Sequence, residues 1–132
     1  MQCAPEGRGR ACCLIGAGGV AYHVAEIETA VRLGLPVVVV IMNNSALGSE
    51  YHLQKLRYRE VMPESFEFRE VDYGAAARVF GAAGEKVTRP GDLAAALQRA
   101  RACEGVAVVD VAIDREVYAP VVHYESVEER RV

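Results

Sequence analysis

The amino-acid sequence predicts an α/β fold in which a mostly parallel sheet is flanked by helices. The run from Val37 to Met42 is continuously apolar and rich in β-branched residues, which is typical of a strand covered on both faces. A glycine cluster follows another short apolar run near the N-terminus, as expected for a strand that enters a tight turn. Strand-like and helix-like segments then alternate along the chain, and this alternation favours parallel strands joined by helical crossovers.

The first half of the chain is predicted to form a β-α-β unit. Ala11 to Ile15 is the first strand, and it ends in the glycine cluster. Tyr22 to Leu33 is an amphipathic helix, because its apolar residues recur at helical spacing and Gly34 provides a stop signal. The valine-rich run from Val37 to Met42 is the second strand.

The second half of the chain continues this alternation. A polar loop after the second strand leads into a less regular helix over Leu47 to Tyr58. Asp72 is suited to cap a helix over Tyr73 to Phe80, because its carboxylate can accept hydrogen bonds from the unpaired backbone N–H groups of the first turn. The remaining predicted elements are a short strand from Lys86 to Thr88, a helix from Pro90 to about Ala102 and a strongly apolar strand from Val106 to Ile113.

Composition and charge narrow the classes of protein to which the chain can belong. The 132 residues, 52% of them hydrophobic, suffice for one domain, which we expect over residues 1–113 with a C-terminal tail over 114–132. The net charge of -3, with both signs interspersed, provides no basic surface for nucleic acid. Every apolar run is far shorter than the roughly 20 residues of a membrane-spanning helix, so no membrane segment and a cytoplasmic location are expected. The four cysteines contain no CxxC pair and are predicted to be reduced thiols.

The glycine turn at residues 16–19 is the first candidate site. A glycine-rich turn between a strand and a helix exposes backbone N–H groups at the positive end of the helix dipole, and this suits a phosphate group. The alternative is that the glycines only make a tight turn. Gly16 to Ala21 also fits the dinucleotide fingerprint G-x-G-x-x-A, but that fold places an acidic residue at the end of the second strand, where this chain has Asn43 and Asn44. The NAD-binding interpretation therefore lacks its second requirement.

The spacing between the glycine turn and the two asparagines points to a particular family. Gly16-Ala17-Gly18 is followed by a spacer from Gly19 to Met42 (42 − 19 + 1 = 24 residues) and then by Asn43-Asn44. This arrangement resembles the signature of thiamine diphosphate enzymes, in which GDG, a spacer of similar length and NN follow one another. The flanking sequence is similar to the diphosphate-binding domain of acetolactate synthase-like and 2-oxo acid decarboxylase-like enzymes at Ala21-Tyr22-His23, Gly34-Leu35-Pro36, Asp72-Tyr73-Gly74 and Phe80-Gly81-Ala82. The resemblance covers nearly the whole chain and implies the thiamine diphosphate-binding fold.

The resemblance implies a site for thiamine diphosphate and Mg²⁺. By position, Gly18 and Gly19 would present backbone N–H groups to the diphosphate. The side-chain oxygen of Asn44 and the backbone carbonyl of Ala46 would bind the magnesium ion, which prefers oxygen ligands. Ala17 replaces the aspartate of GDG, a further metal ligand in the family, so we expect weakened metal-dependent binding. The complete set of expected cofactor-binding residues is Gly16, Ala17, Gly18, Gly19, Asn44, Ala46, Leu47 and Gly48, with Asn44 and Ala46 as the metal ligands.

The resemblance also implies partners. In the family, the glutamate that activates the pyrimidine ring of the cofactor belongs to a separate pyrimidine-binding domain, usually from another subunit. No catalytic residue is therefore expected here, and the isolated chain should be inactive. A further strand and helix normally precede the first strand, so an N-terminally truncated sheet with an exposed edge is expected. A 2-oxo acid is the expected substrate and a homo-oligomer the expected assembly, while a degenerate assembly domain and an NAD-dependent oxidoreductase are the alternative functions.

Overall fold

The computed structural model describes residues 10–57 and 62–117. Its strands are β1 (Ala11–Gly16), β2 (Val37–Asn43), β3 (Ala83–Val87) and β4 (Ala107–Ala112). They form one four-stranded sheet in the order β1-β2-β4-β3, and each adjacent pair is parallel. The predicted α/β fold with a parallel sheet is therefore confirmed.

Helices connect the strands, as parallel pairing requires. They are α1 (Ala17–Ala21), α2 (Glu26–Arg32), α3 (Gly48–Arg57), α4 (Tyr73–Val79) and α5 (Leu93–Ala102), with short 3₁₀ turns at Pro63–Ser65 and Pro90–Asp92. One face of the sheet packs against α1, α2 and α4, and the other packs against α5. Helices thus cover both faces of the sheet at its central strands.

The two central strands carry the most buried side chains. Ile41 on β2 and Val108 and Val109 on β4 are almost completely buried. Both strands have a neighbouring strand on each side and helices on both faces, which explains why their sequences are continuously apolar. Asp110, also on β4 and completely buried, is the exception to this pattern.

β1 lies at one edge of the described sheet and is the most exposed strand. Leu14 is 69% exposed, and Cys12 and Cys13 are also exposed. These two cysteines and Cys103 are free thiols, as predicted for the described part of the chain. The strand that leads into the glycine turn is therefore exposed to solvent.

The helix predicted over Tyr22 to Leu33 differs in the structure. Helical structure begins at Ala17, and a turn over residues 22–25 separates α1 from α2. The sequence favoured a later start because glycine disfavours helix. In the structure the glycines permit close packing instead, since a Cβ at Gly18 would lie 2.5 Å from Leu47 Cδ2.

The third strand also differs from the prediction. β3 runs from Ala83 to Val87, whereas a shorter strand was predicted over residues 86–88. Gly84, which resembles a turn residue in the sequence, lies inside the strand. A Cβ at Gly84 would be 2.2 Å from the carbonyl oxygen of Gly74 on α4, so glycine is required for α4 and β3 to approach this closely.

Other boundaries lie close to their predicted positions. Asp72 caps α4 as predicted, because its Oδ1 accepts a 2.7 Å hydrogen bond from the backbone N–H of Ala75. The segment predicted as a helix from Pro90 begins with a 3₁₀ turn before α5. Helix α3 begins at Gly48, one residue after the predicted start at Leu47, and the predicted end at Tyr58 lies outside the described residues.

In the described ranges, no helix is long and apolar enough to cross a membrane. Of the predicted C-terminal tail, the structure describes residues 114–117, which form a turn after β4. Residues 118–132 lie outside the described part of the chain.

Candidate functional site

A groove of about 720 Å³ opens at the carboxyl ends of β1, β2 and β4. This is the edge at which open parallel α/β sheets bind ligands. Its walls are the glycine turn after β1, the asparagine loop after β2 (residues 43–48) and the residues that follow β4. Predicted cofactor-binding residues that line the groove are Gly16, Gly18, Gly19, Asn44, Ala46, Leu47 and Gly48.

Ala17 is the predicted site residue that does not line the groove. It is 1% exposed and packs in an apolar cluster with Val20 and Ile41. Its backbone carbonyl accepts a 3.3 Å hydrogen bond from the hydroxyl group of Tyr73. Burial raises the pKa of the Tyr73 hydroxyl, which keeps it protonated and able to donate. The Ala17 methyl group is therefore part of the core, between two residues that reach the groove.

Two glycines allow close approaches beside the groove, one between the glycine turn and the asparagine loop and one within the asparagine loop. A Cβ at Gly18 would lie 2.5 Å from Leu47 Cδ2, so the glycine turn touches the asparagine loop directly. A Cβ at Gly48 would lie 2.6 Å from Asn44 Nδ2, at the start of α3. A side chain at either position would collide with Leu47 or Asn44, so glycine is what allows each of these close approaches.

The asparagine loop is folded by hydrogen bonds within itself. Asn43 Oδ1 accepts a 3.0 Å hydrogen bond from the Ser45 N–H, and Asn44 Oδ1 accepts a 3.2 Å hydrogen bond from the Ala46 N–H. Between them, Ser45 has a φ of 53°, in the left-handed region that non-glycine residues rarely adopt. An amide oxygen has two lone pairs, so Asn44 Oδ1 can accept the Ala46 N–H and still bind a cation.

A second segment holds the asparagine loop from outside. The Leu47 N–H donates to the Phe66 carbonyl at 2.9 Å, and the Phe68 N–H donates to the Ser45 carbonyl at 2.7 Å. These bonds form an isolated antiparallel bridge between Ala46 and Glu67. These bonds fix the backbone on both sides of Ala46, the residue whose carbonyl is predicted to bind a metal ion.

The floor beneath the loop contains a buried carboxylate. Asp110 Oδ2 accepts a 2.9 Å hydrogen bond from the Tyr73 N–H at the start of α4, while Oδ1 has no partner among the described residues. Burial raises the pKa of the Asp110 carboxyl. Asn43 Nδ2 donates to the Val71 carbonyl at 3.0 Å, so the loop and the segment before α4 are tied together.

The turn after β4 contacts both the asparagine loop and α3. Arg115 Nε donates a 3.2 Å hydrogen bond to the Asn44 carbonyl. The Arg115 carbonyl is 2.7 Å from His52 Nε2, which must carry the hydrogen because a carbonyl can only accept. Glu116 accepts a 2.8 Å hydrogen bond from the Tyr51 hydroxyl and pairs with Lys55, and the ammonium group of Lys55 holds the pKa of the Glu116 carboxyl below its usual range.

The donors around the groove suit a hard cation and a diphosphate. Asn44 and Ala46 offer neutral oxygens, and the carboxylates of Glu50 and Asp114 also line the groove. Among the described residues, no group of three or more His, Cys, Asp or Glu side chains is placed to hold a metal ion. A cation here would be bound by amide and carbonyl oxygens together with the oxygens of its ligand, as magnesium bound to phosphates is.

Some residues around the site were not predicted from the sequence. Asp110 interrupts an otherwise apolar strand. This interruption is a sequence signal from which a buried polar contact could have been predicted. Arg115 and Glu67 carried no comparable signal, because their contacts join segments far apart in sequence. His52, which follows the loop, lines the groove and is 4% exposed.

Comparisons with known proteins identify the kind of domain. The family model described as the C-terminal TPP binding domain of thiamine pyrophosphate enzymes matches residues 1–111. Acetolactate synthase from Bacillus subtilis (strain 168) is 33% identical over 99 residues, which cover 75% of this chain and 17% of that protein. The acetolactate synthase large subunit from Haemophilus influenzae is 31% identical over 111 residues, which cover 83% of this chain and 19% of that protein.

A solved structure shows the same arrangement of elements. Benzoylformate decarboxylase from Polynucleobacter necessarius superposes with a TM-score of 0.74 at 26% sequence identity, over 81% of this chain and 20% of that one. The chain therefore spans about a fifth of the length of the relatives that it matches.

Proposed function

This chain belongs to the family of C-terminal TPP-binding domains of thiamine pyrophosphate (thiamine diphosphate) enzymes, and from this premise we propose that its groove binds the diphosphate of the cofactor together with Mg²⁺. The observation that carries the proposal is the meeting of the glycine turn and the asparagine loop in one groove. Helix α2 and strand β2 lie between these two segments in the chain, yet the segments touch through Gly18 and Leu47.

The residues have separate roles in this proposal. The backbone N–H groups of Gly18 and Gly19 bind phosphate oxygens, which the absence of side chains at these positions makes possible. Asn44, through Oδ1, and Ala46, through its carbonyl, bind the magnesium ion. When bound, thiamine diphosphate supplies the electron sink for chemistry beside a carbonyl group, and this domain contributes binding and orientation.

The complete enzyme requires more than this domain. We propose that a pyrimidine-binding domain, on another chain or another segment, supplies the catalytic glutamate, and that residues 1–113 are inactive without it. We also propose an acetolactate synthase-like or 2-oxo acid decarboxylase-like reaction on a 2-oxo acid and a homo-oligomeric assembly, and family membership supports both. The described part of the tail, residues 114–117, contacts α3 and the asparagine loop, so we propose that it forms part of the site. A cytoplasmic location stays a prediction of the sequence.

Ala17 supports a second candidate function. Without a carboxylate at this position the metal loses its anionic protein ligand, and binding should be weaker than in relatives that have the aspartate. If binding has been lost altogether, the domain is a degenerate module kept for assembly with a partner subunit. Metal-dependent binding of the cofactor separates the two functions.

The test is a thermal-shift titration of the purified chain with thiamine diphosphate, with and without Mg²⁺, and with NAD as the control ligand. A ligand that binds only the native state stabilises it by an amount that grows with the logarithm of the ligand concentration over Kd, and the midpoint rises accordingly. We expect stabilisation by thiamine diphosphate that increases with Mg²⁺, and no effect of NAD. A folded chain that no ligand stabilises would favour the assembly module, and stabilisation by NAD alone would overturn the proposal.

A further inference from the structure

Arg115 connects three separate parts of the site. Its Nε donates to the Asn44 carbonyl at 3.2 Å, its Nη1 lies 2.6 Å from Glu67 Oε1, and its backbone carbonyl accepts from His52 Nε2 at 2.7 Å. We propose that Arg115 is a positioning residue that holds the asparagine loop in its metal-binding conformation. This inference rests on the proposed function and extends it to a residue outside the diphosphate-binding motif.

The contact with Asn44 acts on the metal ligand itself. Asn44 is expected to bind the cation through its side-chain oxygen, and Arg115 fixes the peptide carbonyl of the same residue. Because the guanidinium group is planar and its donors are fixed in direction, one hydrogen bond to Asn44 and one to Glu67 determine where both partners lie. Rotation of the Asn44 peptide group is therefore restricted.

The contact with Glu67 acts on the other side of the loop. Arg115 and Glu67 are partly buried, with side chains 28% and 35% exposed, so their charged hydrogen bond is less screened than a fully exposed pair. Glu67 lies opposite Ala46 in the antiparallel bridge. Arg115 therefore reaches both predicted metal ligands, one directly and the other through Glu67.

The conformation between these two ligands needs external support. Ser45 has a φ of 53°, and such a conformation persists only when its surroundings hold it. Its two neighbours along the chain are Asn44 and Ala46, so relaxation of Ser45 would turn the two oxygen donors away from each other. Arg115 holds the Asn44 side of this residue, and the Phe68 N–H holds the Ser45 carbonyl.

The experiment is a magnesium titration of the full chain at a fixed, saturating concentration of thiamine diphosphate, followed by calorimetry. Substitution of residues that orient metal ligands typically lowers metal affinity about 10-fold or more. We expect Arg115→Ala to lower the apparent magnesium affinity by at least about this factor, and Glu67→Gln to lower it by less. Arg115→Lys retains a charge for Glu67 without the planar pair of donors, so it should restore only part of the affinity.

The control is Arg99→Ala, which removes an arginine with the same kind of glutamate partner. Arg99 Nη2 lies 2.7 Å from Glu85 Oε2, away from the groove, and the Arg99 side chain is 61% exposed. This variant should bind magnesium like the wild type. Equal affinities in Arg115→Ala and the wild type would overturn the inference, whereas a wild-type chain that does not bind the cofactor would overturn the proposed function on which it rests.

Hydrogen exchange provides a readout that needs no ligand. In Arg115→Ala we expect faster exchange at the backbone amides of Ser45, Ala46 and Leu47, with the amides of β4 unchanged. If Arg115 contributed only to global stability, its loss would speed exchange equally in the asparagine loop and in β4, or would lower the melting temperature without changing the exchange rate of the loop relative to that of β4. Unchanged exchange at the loop would also overturn the inference.

Discussion

The backbone N–H of Tyr73 donates a 2.9 Å hydrogen bond to the carboxylate of Asp110, a side chain with no exposure to solvent. This bond joins the first residue of α4 to the centre of β4. It places a titratable group beneath the asparagine loop, where its ionisation carries a cost.

The first prediction concerns the pH dependence of stability. Burial raises the folded-state pKa of Asp110 above its unfolded value. The nearby side-chain amide of Asn43, the hydrogen bond from the Tyr73 N–H and the positive charge of Lys86 oppose this rise, and the negative charge of Asp72 adds to it. Between the unfolded and folded pKa values the native state holds more protons than the unfolded state. The contribution of Asp110 to stability is therefore full below the unfolded pKa and is lost as the pH rises through the folded pKa.

Asp110→Asn removes this titration while keeping the shape of the side chain and an acceptor for the Tyr73 N–H. We expect the stability of the variant relative to the wild type to increase as the pH rises from about 3 to about 7. Urea denaturation at a series of pH values measures the difference. A difference that is constant over this range would contradict the raised pKa.

The second prediction concerns the cap of α4. Asp72→Ala removes the 2.7 Å hydrogen bond to the Ala75 N–H, and loss of such a cap costs about 1 kcal/mol. The melting temperature should fall by a few degrees. The matched control is Asp92→Ala. Asp92 also precedes a helix, α5, but its side chain does not cap the helix and instead pairs with the exposed Arg89. An equal effect of the two substitutions would show that the cap contributes nothing measurable.

The third prediction concerns the contact between the two loops. In Gly18→Ala the new methyl group meets Leu47, so one of the two walls of the groove must move. Better helix propensity offsets about 1 kcal/mol of an overpacking cost of about 1–3 kcal/mol, so the net loss of stability is small. We expect affinity for thiamine diphosphate to fall about 5-fold or more, which corresponds to about 1 kcal/mol.

Calorimetry on Gly18→Ala is best compared with Gly105→Ala. A Cβ at Gly105 meets no atom within 4 Å, and this residue lies outside the groove. The Gly105 variant should bind the cofactor like the wild type. Unchanged affinity in both variants would argue that the ligand does not approach Gly18.

The fourth prediction concerns the missing metal ligand. Ala17→Asp places a carboxylate in an apolar cluster, so the ligand-free chain should lose about 2 kcal/mol or more. Gly16 and Gly18 on either side of position 17 line the groove, and the family resemblance implies an aspartate at this position as a metal ligand. We therefore expect stabilisation by Mg²⁺ and thiamine diphosphate to be larger in the variant than in the wild type.

Ala17→Asn is the matched variant, since it has nearly the same size and no charge. It should lose stability in the same way but gain less from Mg²⁺. If the Asp and Asn variants depend equally on Mg²⁺ in thermal-shift titrations, the side chain at position 17 does not reach the metal.

The main features of the fold could be predicted from the sequence because they depend on local patterns. The apolar runs that form β1, β2 and β4 are unambiguous, and Asp72 is a cap with a clear local signal. The glycine turn and the asparagine loop were placed in one site through their spacing and the family resemblance, and the parallel sheet brings the ends of β1 and β2 together.

What could not be predicted depends on contacts between distant segments. The start of α1 at Ala17 and the position of Gly84 within β3 follow from close approaches to Leu47 and Gly74, which no local pattern contains. Arg115 bonds to a residue 71 positions earlier in the chain. Its sequence context resembles an ordinary charged tail, so its contact with Asn44 could be found only in the tertiary structure.

The order β1-β2-β4-β3 also constrains how the domain is made. β4 is the last described strand to leave the ribosome, yet it lies between β2 and β3 and pairs with both. Until it has been synthesised, β3 has no described neighbour, and the nascent chain can pair only β1 with β2. The groove, which the end of β4 helps to wall, is therefore complete only after β4 has been synthesised, and a ligand that needs all of its walls can be held only from that point on.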